Sequence, residues 1–257
     1  FPLPGAALGF LESLVPQPRG APPRVLDAGC ATGSLLRALA ARGWEGIGIE
    51  PESAMVELAR AKAREAGLDR ARFVLGDMLE ADALAGPGPF DLVLCLGNSL
   101  PHVRPEGARR FLGLAAGLLA PGGALVLQLM NYAYPRVGPG FAFPELSAGG
   151  LRFRRRYEAG PGGLLRFVAS LEPAGGGPAG AAGGPAARGA AEGGGEVLLA
   201  PLEPAWLART LGEAGFVPPR SFSGWEGGSF EEGRDLYLLA IARSDAGGGA
   251  RGAAANR

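Results

Sequence analysis

Short apolar segments alternate with longer amphipathic ones through the first half of the chain, and this alternation restricts the fold more than any other feature. Short apolar runs are typical of buried strands, whereas apolar residues spaced by three and four positions are typical of helices. The strands are expected at residues 24–28, 46–50, 72–75, 90–96 and 124–129. The helices are expected at residues 34–42, 52–66 and 105–119. Because strands that alternate with helices form a mostly parallel sheet covered on both faces, we predict a doubly wound α/β fold.

The second half of the chain breaks this alternation. Strands are expected at residues 151–157, 164–171 and 196–202, with no helix between them. Consecutive strands joined by Gly-rich turns are antiparallel neighbours. We therefore predict a single domain over residues 1–257 that carries a small antiparallel insert at residues 151–202. A helix at residues 204–214 and strands at 216–222 and 235–242 complete the main sheet.

Glycine and proline are concentrated in two tracts. The chain has 45 glycines and 23 prolines among 257 residues, yet 47% of its residues are hydrophobic. An apolar content of this size excludes disorder of the whole chain. Residues 173–195 and 246–257 are dominated by small residues and lack any apolar periodicity. We therefore predict a disordered loop within the insert and a disordered tail.

The charge balance excludes several classes of partner. Lys and Arg number 25, as do Asp and Glu, so the net charge is +0 and no broad basic surface for nucleic acid or anionic membranes is expected. No apolar run reaches the ~18 residues of a membrane helix.

The N-terminus lacks an initiator Met and a charged signal-peptide segment, which indicates no secretion signal and a missing natural start. With two cysteines and no disulfide framework, we expect a cytoplasmic protein, and a homo-oligomer remains open.

The most informative segment is VLDAGCATG at residues 25–33, where a buried strand enters a Gly-containing turn and a helix follows at once. Gly29 and Gly33 allow the backbone to turn sharply and to approach a ligand. The N–H groups at the start of the helix would face the polar atoms of that ligand. Glu50 ends the second strand, and a carboxylate there can accept both hydroxyls of a ribose. Together these residues indicate a nucleotide-type ligand.

Two further strand ends carry polar or glycine residues. Asp77 and Met78 follow the third strand, where an acid and an apolar side chain could hold and cover an adenine. The fourth strand ends in LGNSLPH at residues 96–102. Because a doubly wound sheet binds ligands at the carboxyl ends of its strands, these segments are expected to share one site.

This set of strand ends resembles the class I S-adenosylmethionine-dependent methyltransferases over roughly residues 24–129. The segment CLGNSLPH at residues 95–102, the pair Asn131-Tyr132 and the antiparallel insert are most similar to the glycine/sarcosine N-methyltransferase branch. The resemblance implies a Rossmann-like sheet of seven strands whose last strand is antiparallel. It also implies S-adenosylmethionine as the cofactor and a small-molecule methyl acceptor, with an amine nitrogen as the atom methylated. The insert is expected to cover the site and exclude water.

The resemblance assigns roles to individual residues by position. Those around the methionine part of the cofactor are Asp27, Gly29, Cys30, Ala31 and Gly33. Those around the rest of it are Glu50 at the ribose, Asp77 and Met78 at the adenine, and Leu96 beside the sulfonium. The candidates for catalysis are Asn98 and His102, and those for the substrate are Asn131, Tyr132, Arg154 and Arg156. No metal is implied, and no cluster in the sequence has metal-ligand spacing.

Several residues allow two interpretations. His102 is the only histidine, so it is either a general base or a loop residue packed near the cofactor. A neutral amine needs little base catalysis, because positioning in line with the methyl group does most of the work. Cys30 and Cys95 lie at the ends of strands expected to be neighbours and are interpreted as small buried hydrophobic residues.

Three departures from the family pattern bear on the substrate. Members usually have glycine where Ala31 stands, so a methyl group crowds the cofactor there. In the glycine-methylating branch an arginine that holds the substrate carboxylate precedes the Asn-Tyr pair, whereas this chain has Met130. The main reason to name glycine as the substrate is therefore missing. The N-terminal helix with its aromatic lid residues is also expected to be absent or cut off.

An arginine-rich run in the insert offers another candidate for substrate binding. Alternation along a strand places Arg152, Arg154 and Arg156 on one face and Arg155 on the other. The run is either a solvated edge strand that discourages aggregation or a clamp for an anionic substrate.

Two other functions remain open. A nicotinamide-dependent oxidoreductase uses the same kind of loop, although its pattern would be Gly-x-Gly-x-x-Gly and position 27 here is Asp. A non-catalytic module that only binds S-adenosylmethionine is compatible with the substituted residues Ala31 and Met130. The Asn-Pro-Pro-Tyr type signature of enzymes that methylate adenine or glutamine is missing, which weakens a DNA or protein substrate.

Overall fold

The computed structural model describes residues 5–15, 20–85, 88–174 and 193–243. The chain divides into two compact units. The larger contains Phe1–Tyr134 and Leu202–Arg257, and the smaller contains Pro135–Pro201. The predicted tail at residues 246–257 lies outside the described residues, as does most of the predicted loop at residues 173–195.

The described residues form eleven strands and six α-helices. The strands are β1 Arg24–Ala28, β2 Glu45–Glu50, β3 Ala71–Leu75, β4 Phe90–Cys95, β5 Leu119–Met130, β6 Leu146–Ala148, β7 Leu151–Ala159, β8 Leu165–Pro173, β9 Gly193–Leu199, β10 Arg220–Phe222 and β11 Tyr237–Arg243. The helices are α1 Gly5–Ser13, α2 Ser34–Ala40, α3 Ser53–Glu65, α4 Ala81–Ala85, α5 Arg104–Leu118 and α6 Pro204–Glu213. Short 3₁₀ helices lie at Met78–Glu80, Leu100–Val103 and Pro161–Gly163.

The larger unit contains one mixed sheet of seven strands in the order β10-β11-β5-β4-β1-β2-β3. Strand β1 is parallel to β2 and β4, and β11 is antiparallel to β5 and β10. The predicted fold class and the antiparallel last strand are therefore confirmed. Because β1 to β5 run in one direction, their carboxyl ends meet at one edge of the sheet. Tyr237 at the start of β11 pairs with Met130 at the end of β5, so the segment before β11 reaches the same edge.

Burial on the sheet follows the expected pattern at its centre and departs from it at its edge. Strand β4 is buried along its whole length, as a strand covered on both faces should be. The periodicity of residues 52–66 predicts that Met55, Val56, Leu58 and Ala59 face the core, but Met55 and Leu58 are 42% and 43% exposed. Helix α3 contacts the outermost strands β2 and β3. Only the narrow stripe of Val56, Ala59 and Ala63 is buried there.

The start of β5 and the N-terminal segment differ from expectation. Strand β5 begins at Leu119 directly after α5, so the Pro-Gly-Gly segment at residues 121–123 belongs to the strand. The chain also has an N-terminal helix, α1, which the sequence pattern does not predict; the absence or truncation of the family's lid helix stays a prediction. Ala7 and Leu11 of α1 are fully buried, and the ring of Phe10 lies 5.3 Å from that of Phe222. These apolar contacts hold the short helix on the larger unit.

The smaller unit is an antiparallel sheet of four strands in the order β6-β7-β8-β9. The sequence predicts three of these strands and misses β6. Strand β7 lies between β6 and β8, so its interpretation as an edge strand is wrong. Strand β9 begins at Gly193, which places residues 193–195 in the sheet. The covering role of residues 151–202 stays a prediction.

The two faces of β7 alternate as the sequence predicts. Arg154 and Arg156 are exposed, whereas Arg155 and Tyr157 are 7% and 1% exposed. The Arg155 guanidinium lies 5.1 Å from the centre of the Phe143 ring, and the Tyr157 ring packs at 5.9 Å against that of Phe167. This aromatic face is the core of the smaller unit. None of the described helices in either unit has the length and apolarity needed to cross a membrane.

Candidate cofactor and substrate site

The loop that follows β1 reverses direction through residues with positive φ. Gly29, Ala31 and Gly33 have φ angles of 80°, 47° and 69°. The Gly29 and Cys30 N–H groups donate to the Ile49 carbonyl at 2.8 and 3.1 Å, and the Gly33 N–H donates to the Cys30 carbonyl at 2.8 Å. The loop is therefore tied to the end of β2, and it begins α2 directly after Gly33.

Both loop glycines are required by their surroundings as well as by their φ angles. A Cβ atom at Gly29 would lie 2.7 Å from Ser99 Oγ, and one at Gly33 would lie 2.2 Å from Phe73 Cε1. Real side chains cannot approach this closely, so the two positions accept only glycine without a shift of their neighbours. Ala31 adopts the left-handed region with a methyl group, which costs about 1 kcal/mol relative to glycine.

Glu50 is the carboxylate that organises the loop. Its Oε2 accepts the Ala31 N–H at 2.9 Å, and its Oε1 accepts the Glu52 N–H at 3.2 Å. The side chain is largely buried, with 9% of its surface exposed. Each carboxylate oxygen can accept a further hydrogen bond, so both retain capacity for a ligand hydroxyl. The structure brings Glu50 and the loop together, and its role at a ribose stays a prediction.

Asp27 lies in β1 just before the loop and is only 4% exposed. Burial raises the pKa of Asp27 from 3.8 to about 7, and the negative charge of Glu50 adds to the rise. Burial also raises the pKa of the Cys30 and Cys95 thiols, which are unbonded to each other. Their interpretation as small buried hydrophobic residues is confirmed. Asp27 is thus a buried carboxyl group beside the loop whose ionisation is opposed by its surroundings.

The raised pKa of Asp27 predicts a pH-dependent stability without added ligand. The folded chain binds this proton more tightly than the unfolded chain, so the free energy of unfolding should fall as pH rises from about 4 through 7. The loss should reach roughly 2–4 kcal/mol above pH 8. Asp27→Asn cannot ionise and should be more stable than wild type at pH 8 in urea unfolding.

The matched control for this experiment is Asp77→Asn, because Asp77 is an exposed carboxylate at another strand end. Its pH profile should follow that of the wild type. Superimposable wild-type and Asp27→Asn profiles between pH 5 and 8 would contradict the prediction.

The residues expected at the adenine and sulfonium lie around the same loop. The Asp77 carboxylate accepts the Leu79 N–H at 2.8 Å and thereby caps the Met78–Glu80 turn. Met78 is 7% exposed, and its Cε lies 3.8 Å from the position of a Cβ at Gly29. Leu96 is half-buried, and its carbonyl accepts the Ser99 hydroxyl at 2.7 Å. Their contacts with a cofactor stay predictions.

Asn98 ties the end of β4 to the end of β5. It has a φ of 68°, and its N–H donates to the Gln128 carbonyl at 2.9 Å. Its Oδ1 accepts the Met130 N–H at 3.0 Å, and its Nδ2 donates to the Tyr132 hydroxyl at 2.8 Å. Both the oxygen and the nitrogen of the Asn98 amide are therefore hydrogen-bonded within the protein. The catalytic role of Asn98 and the substrate role of Tyr132 stay predictions.

Asn131, expected at the substrate, has a different set of partners. It is fully buried, and its Nδ2 donates to the Glu232 and Asp235 carbonyls at 2.7 Å each. Its Oδ1 accepts the Ala133 N–H at 3.2 Å. The side chain thus fastens the segment before β11 to the end of β5, and a contact with substrate stays a prediction.

His102 lies in the Leu100–Val103 turn, with more than a third of its surface exposed. Partial burial of the ring lowers the pKa of His102, so the imidazole is neutral at pH 7. A neutral imidazole can accept a proton, which keeps both interpretations of this residue open. Among the described His, Cys, Asp and Glu side chains, no group of three or more is placed to hold a metal ion.

The arginines proposed for an anionic substrate are paired within the smaller unit. Arg154 Nε lies 2.8 Å from Glu145 Oε2, and Arg156 Nη2 lies 2.7 Å from Glu158 Oε1. These are exposed ion pairs, which are worth little to stability and are easily exchanged. A substrate clamp would have to replace the carboxylates, and it stays a prediction.

Ser99 and Gln128 take part in this edge of the sheet although neither of them is assigned a role from the sequence. Ser99 lies against Gly29, and the Gln128 Oε1 accepts the Gly97 N–H at 3.2 Å. The one signal for Gln128 in the sequence is its polarity within the apolar segment ALVLQLM. Ser99 lies within the LGNSLPH segment, but nothing in that segment predicts its contact with Gly29.

Comparison with known proteins agrees with this geometry. A family model described as a methyltransferase domain matches residues 25–123, from β1 into β5. The CcbJ methyltransferase from Streptomyces caelestis superimposes with a TM-score of 0.73 at 23% identity, over 93% of this chain and 94% of that one. Residues 25–123 are therefore similar to a methyltransferase domain, and the chain shares the fold of the CcbJ methyltransferase. The resemblance inferred from the strand ends is confirmed.

Other relatives of the methyltransferase domain differ in the atom that they methylate. A ubiquinone biosynthesis O-methyltransferase from Stutzerimonas stutzeri is 32% identical over 139 residues, covering 51% of this chain and 57% of its own length. A glycine N-methyltransferase from Mus musculus is 32% identical over 124 residues, covering 43% and 41%. The chain thus spans about half the length of the curated relatives it matches. CalS10, a SAM-bound amino pentose methyltransferase from Micromonospora echinaspora, superimposes with a TM-score of 0.64 at 24% identity over 93% of this chain and 90% of its own.

Proposed function

We propose that this protein transfers a methyl group from S-adenosylmethionine to a small-molecule acceptor, at an amine nitrogen. The observation that carries the proposal is the contact between Glu50 and the glycine loop. The Glu50 carboxylate accepts a hydrogen bond from the Ala31 N–H. Its oxygens can accept further hydrogen bonds from a ligand at the edge of the sheet where four strands end. A ribose diol is the partner that this arrangement suits best.

The residues present fit S-adenosylmethionine in a second way. Asp27 is a buried carboxyl whose ionisation is opposed by its surroundings, and a ligand ammonium group beside it would favour the charged form. The methionine part of S-adenosylmethionine carries such an ammonium group. Gly29 and Gly33 keep the loop free of side chains that would occupy the same space. Asp77 and Met78 offer a polar group and an apolar surface for the adenine.

When bound, S-adenosylmethionine supplies a methyl group that is already activated by a sulfonium. The protein then has to position an acceptor in line with that methyl group, and positioning alone can contribute most of the rate. Asn98 and Tyr132 form a hydrogen-bonded pair at the ends of β4 and β5 that can set the acceptor's orientation. His102, neutral at pH 7, can receive a proton at a ring nitrogen if the acceptor has to lose one.

The choice of an amine over a hydroxyl is supported by one solved structure that matches most of the chain, because CalS10 is an amino pentose methyltransferase. CalS10 covers 93% of the chain, a share that has to include most of residues 135–201. The ubiquinone O-methyltransferase matches only 51% of the chain. Transfer to a hydroxyl is the second candidate, because a neutral His102 is the general base that a hydroxyl would require.

The test is a binding measurement followed by a paired transfer assay. Isothermal titration should detect S-adenosylmethionine and its demethylated product and should not detect a nicotinamide cofactor. Labelled methyl groups should then pass to an amino sugar and not to the parent sugar that has a hydroxyl at the same carbon. His102→Ala should retain most of the amine activity, because an amine needs no strong base.

Each outcome of this test separates one alternative. Failure to bind S-adenosylmethionine and its product would refute the function. Binding without transfer to any amine or hydroxyl acceptor would favour a non-catalytic module. Transfer only to hydroxyls, with a loss of about 100-fold or more in His102→Ala, would replace the amine by the hydroxyl.

A further inference from the structure

The turn that follows β4 has a left-handed backbone conformation, which carries no steric cost at Gly97 and a modest one at Asn98. Gly97 and Asn98 are consecutive residues with φ angles of 66° and 68°. The left-handed region is costly for a residue with a side chain, and a strained turn persists only where its surroundings determine it more than once. Such turns are common where side chains have to be aimed at a ligand.

Gln128 accepts both N–H groups of this left-handed pair. Its side-chain Oε1 accepts the Gly97 N–H at 3.2 Å, and its main-chain carbonyl accepts the Asn98 N–H at 2.9 Å. The register between β4 and β5 explains why one residue accepts both N–H groups. Cys95 of β4 pairs with Leu127 of β5, so Gln128 is the first residue of β5 beyond its pairing with β4 and lies next to the turn. A polar side chain in an apolar strand needs a partner, and Gln128 finds it in the turn.

The turn lies between the proposed cofactor loop and the proposed acceptor residues. On one side Ser99 lies against Gly29, where a Cβ would be 2.7 Å from the Ser99 hydroxyl oxygen. On the other side the Asn98 amide is bonded to the Met130 N–H and the Tyr132 hydroxyl. A shift of the turn would therefore move the cofactor loop and the acceptor-side pair relative to each other.

We propose that Gln128 is a positioning residue for methyl transfer, acting by holding the Gly97-Asn98 turn in its left-handed conformation. The inference rests on the proposed function. Gln128 has no contact with the reacting atoms in this role. Its contribution is geometric, because a misplacement of about 1 Å in a reacting group can cost on the order of 100-fold in rate.

The test compares Gln128→Met, which removes the acceptor atom at similar length, with Gln128→Glu, which keeps an oxygen acceptor. We expect Gln128→Met to lower kcat by about 10–100-fold, with the KM for S-adenosylmethionine changed by less than about 3-fold. Gln128→Glu should recover most of the kcat. Amide hydrogen exchange at Gly97 should be faster in Gln128→Met and close to wild type in Gln128→Glu, and this readout needs no turnover.

The outcomes distinguish the two proposals from each other. One outcome is that the wild type shows no methyl transfer while Gly97 still exchanges faster in Gln128→Met than in the wild type. That result would overturn the proposed function, whereas the role of Gln128 in holding the Gly97-Asn98 turn would be supported. Unchanged kcat and unchanged exchange in Gln128→Met would overturn the inference. Equal losses of kcat in both variants would do the same, because a retained acceptor would then not matter. If Gln128→Met unfolds at the assay temperature, Gln128→Asn, whose shorter side chain falls short of Gly97, is expected to show the same loss.

Discussion

Replacing Gly33 by alanine is expected to lower the free energy of unfolding by roughly 3–5 kcal/mol. Two costs add at this position. The residue has a φ of 69°, which an alanine adopts at a cost of about 1 kcal/mol. The new Cβ would also lie 2.2 Å from Cε1 and 2.4 Å from Cζ of the buried Phe73 ring, which has to move within a packed core. Urea unfolding of the variant against the wild type measures the sum.

A matched glycine separates the two costs. Gly43 has a φ of 89°, and nothing lies within 4 Å of a Cβ built there, so Gly43→Ala carries the backbone cost alone. It should lose about 1 kcal/mol. Combining Gly33→Ala with Phe73→Leu should cost less than the sum of the single changes, because the smaller side chain relieves the clash. Equal losses in Gly33→Ala and Gly43→Ala would show that the Phe73 contact is unimportant.

Glu50→Gln is expected to weaken binding of S-adenosylmethionine by about 100-fold, as measured by isothermal titration. Both carboxylate oxygens accept backbone N–H groups, from Ala31 and from Glu52. An amide replaces one oxygen by an NH₂ group, so one of these donors would face another donor and the loop would lose its anchor. The charged acceptor proposed for the ribose hydroxyls is lost in the same change, and hydrogen bonds to charged groups are the stronger ones.

The control is Glu45→Gln, because Glu45 is an exposed carboxylate at the opposite end of the same strand. It should bind S-adenosylmethionine as the wild type does. Glu50→Asp keeps the charge on a shorter side chain and should fall between the two. An affinity for Glu50→Gln within about 3-fold of the wild type would contradict the assignment of Glu50 to the cofactor.

Much of the larger unit could be predicted from the sequence because its information is local. The apolar strands, the glycines of the loop and the acid at the end of β2 are each visible within a few residues. Their meeting at one edge follows from the rule that parallel strands point the same way. The errors fall where burial depends on distant parts of the chain, as with Met55 and Leu58 on a helix over the outermost strands of the sheet.

The partners of the polar side chains could not be predicted in the same way. The sequence makes Asn131 a candidate substrate residue because it precedes Tyr132. In the structure its buried side chain donates to two carbonyls about one hundred residues away in the chain, and these partners could not be predicted. Strand β6 is only three residues long and exposed, so no apolar pattern marks it. The Arg154 pair with Glu145, next to β6, depends on which strand neighbours β7, whereas the Arg156–Glu158 pair lies within β7.

The sequence by itself determined the alternation of strands and helices, the glycine loop after β1 and the carboxylate at the end of β2, because periodicity and turn chemistry act over short stretches. Only the tertiary structure decided three contacts. Glu50 accepts a hydrogen bond from the Ala31 N–H, the Phe73 ring packs against Gly33, and Gln128 accepts a hydrogen bond from the turn after β4. These contacts join residues that are far apart in the chain, and they depend on the register between strands, which side-chain pattern alone leaves open.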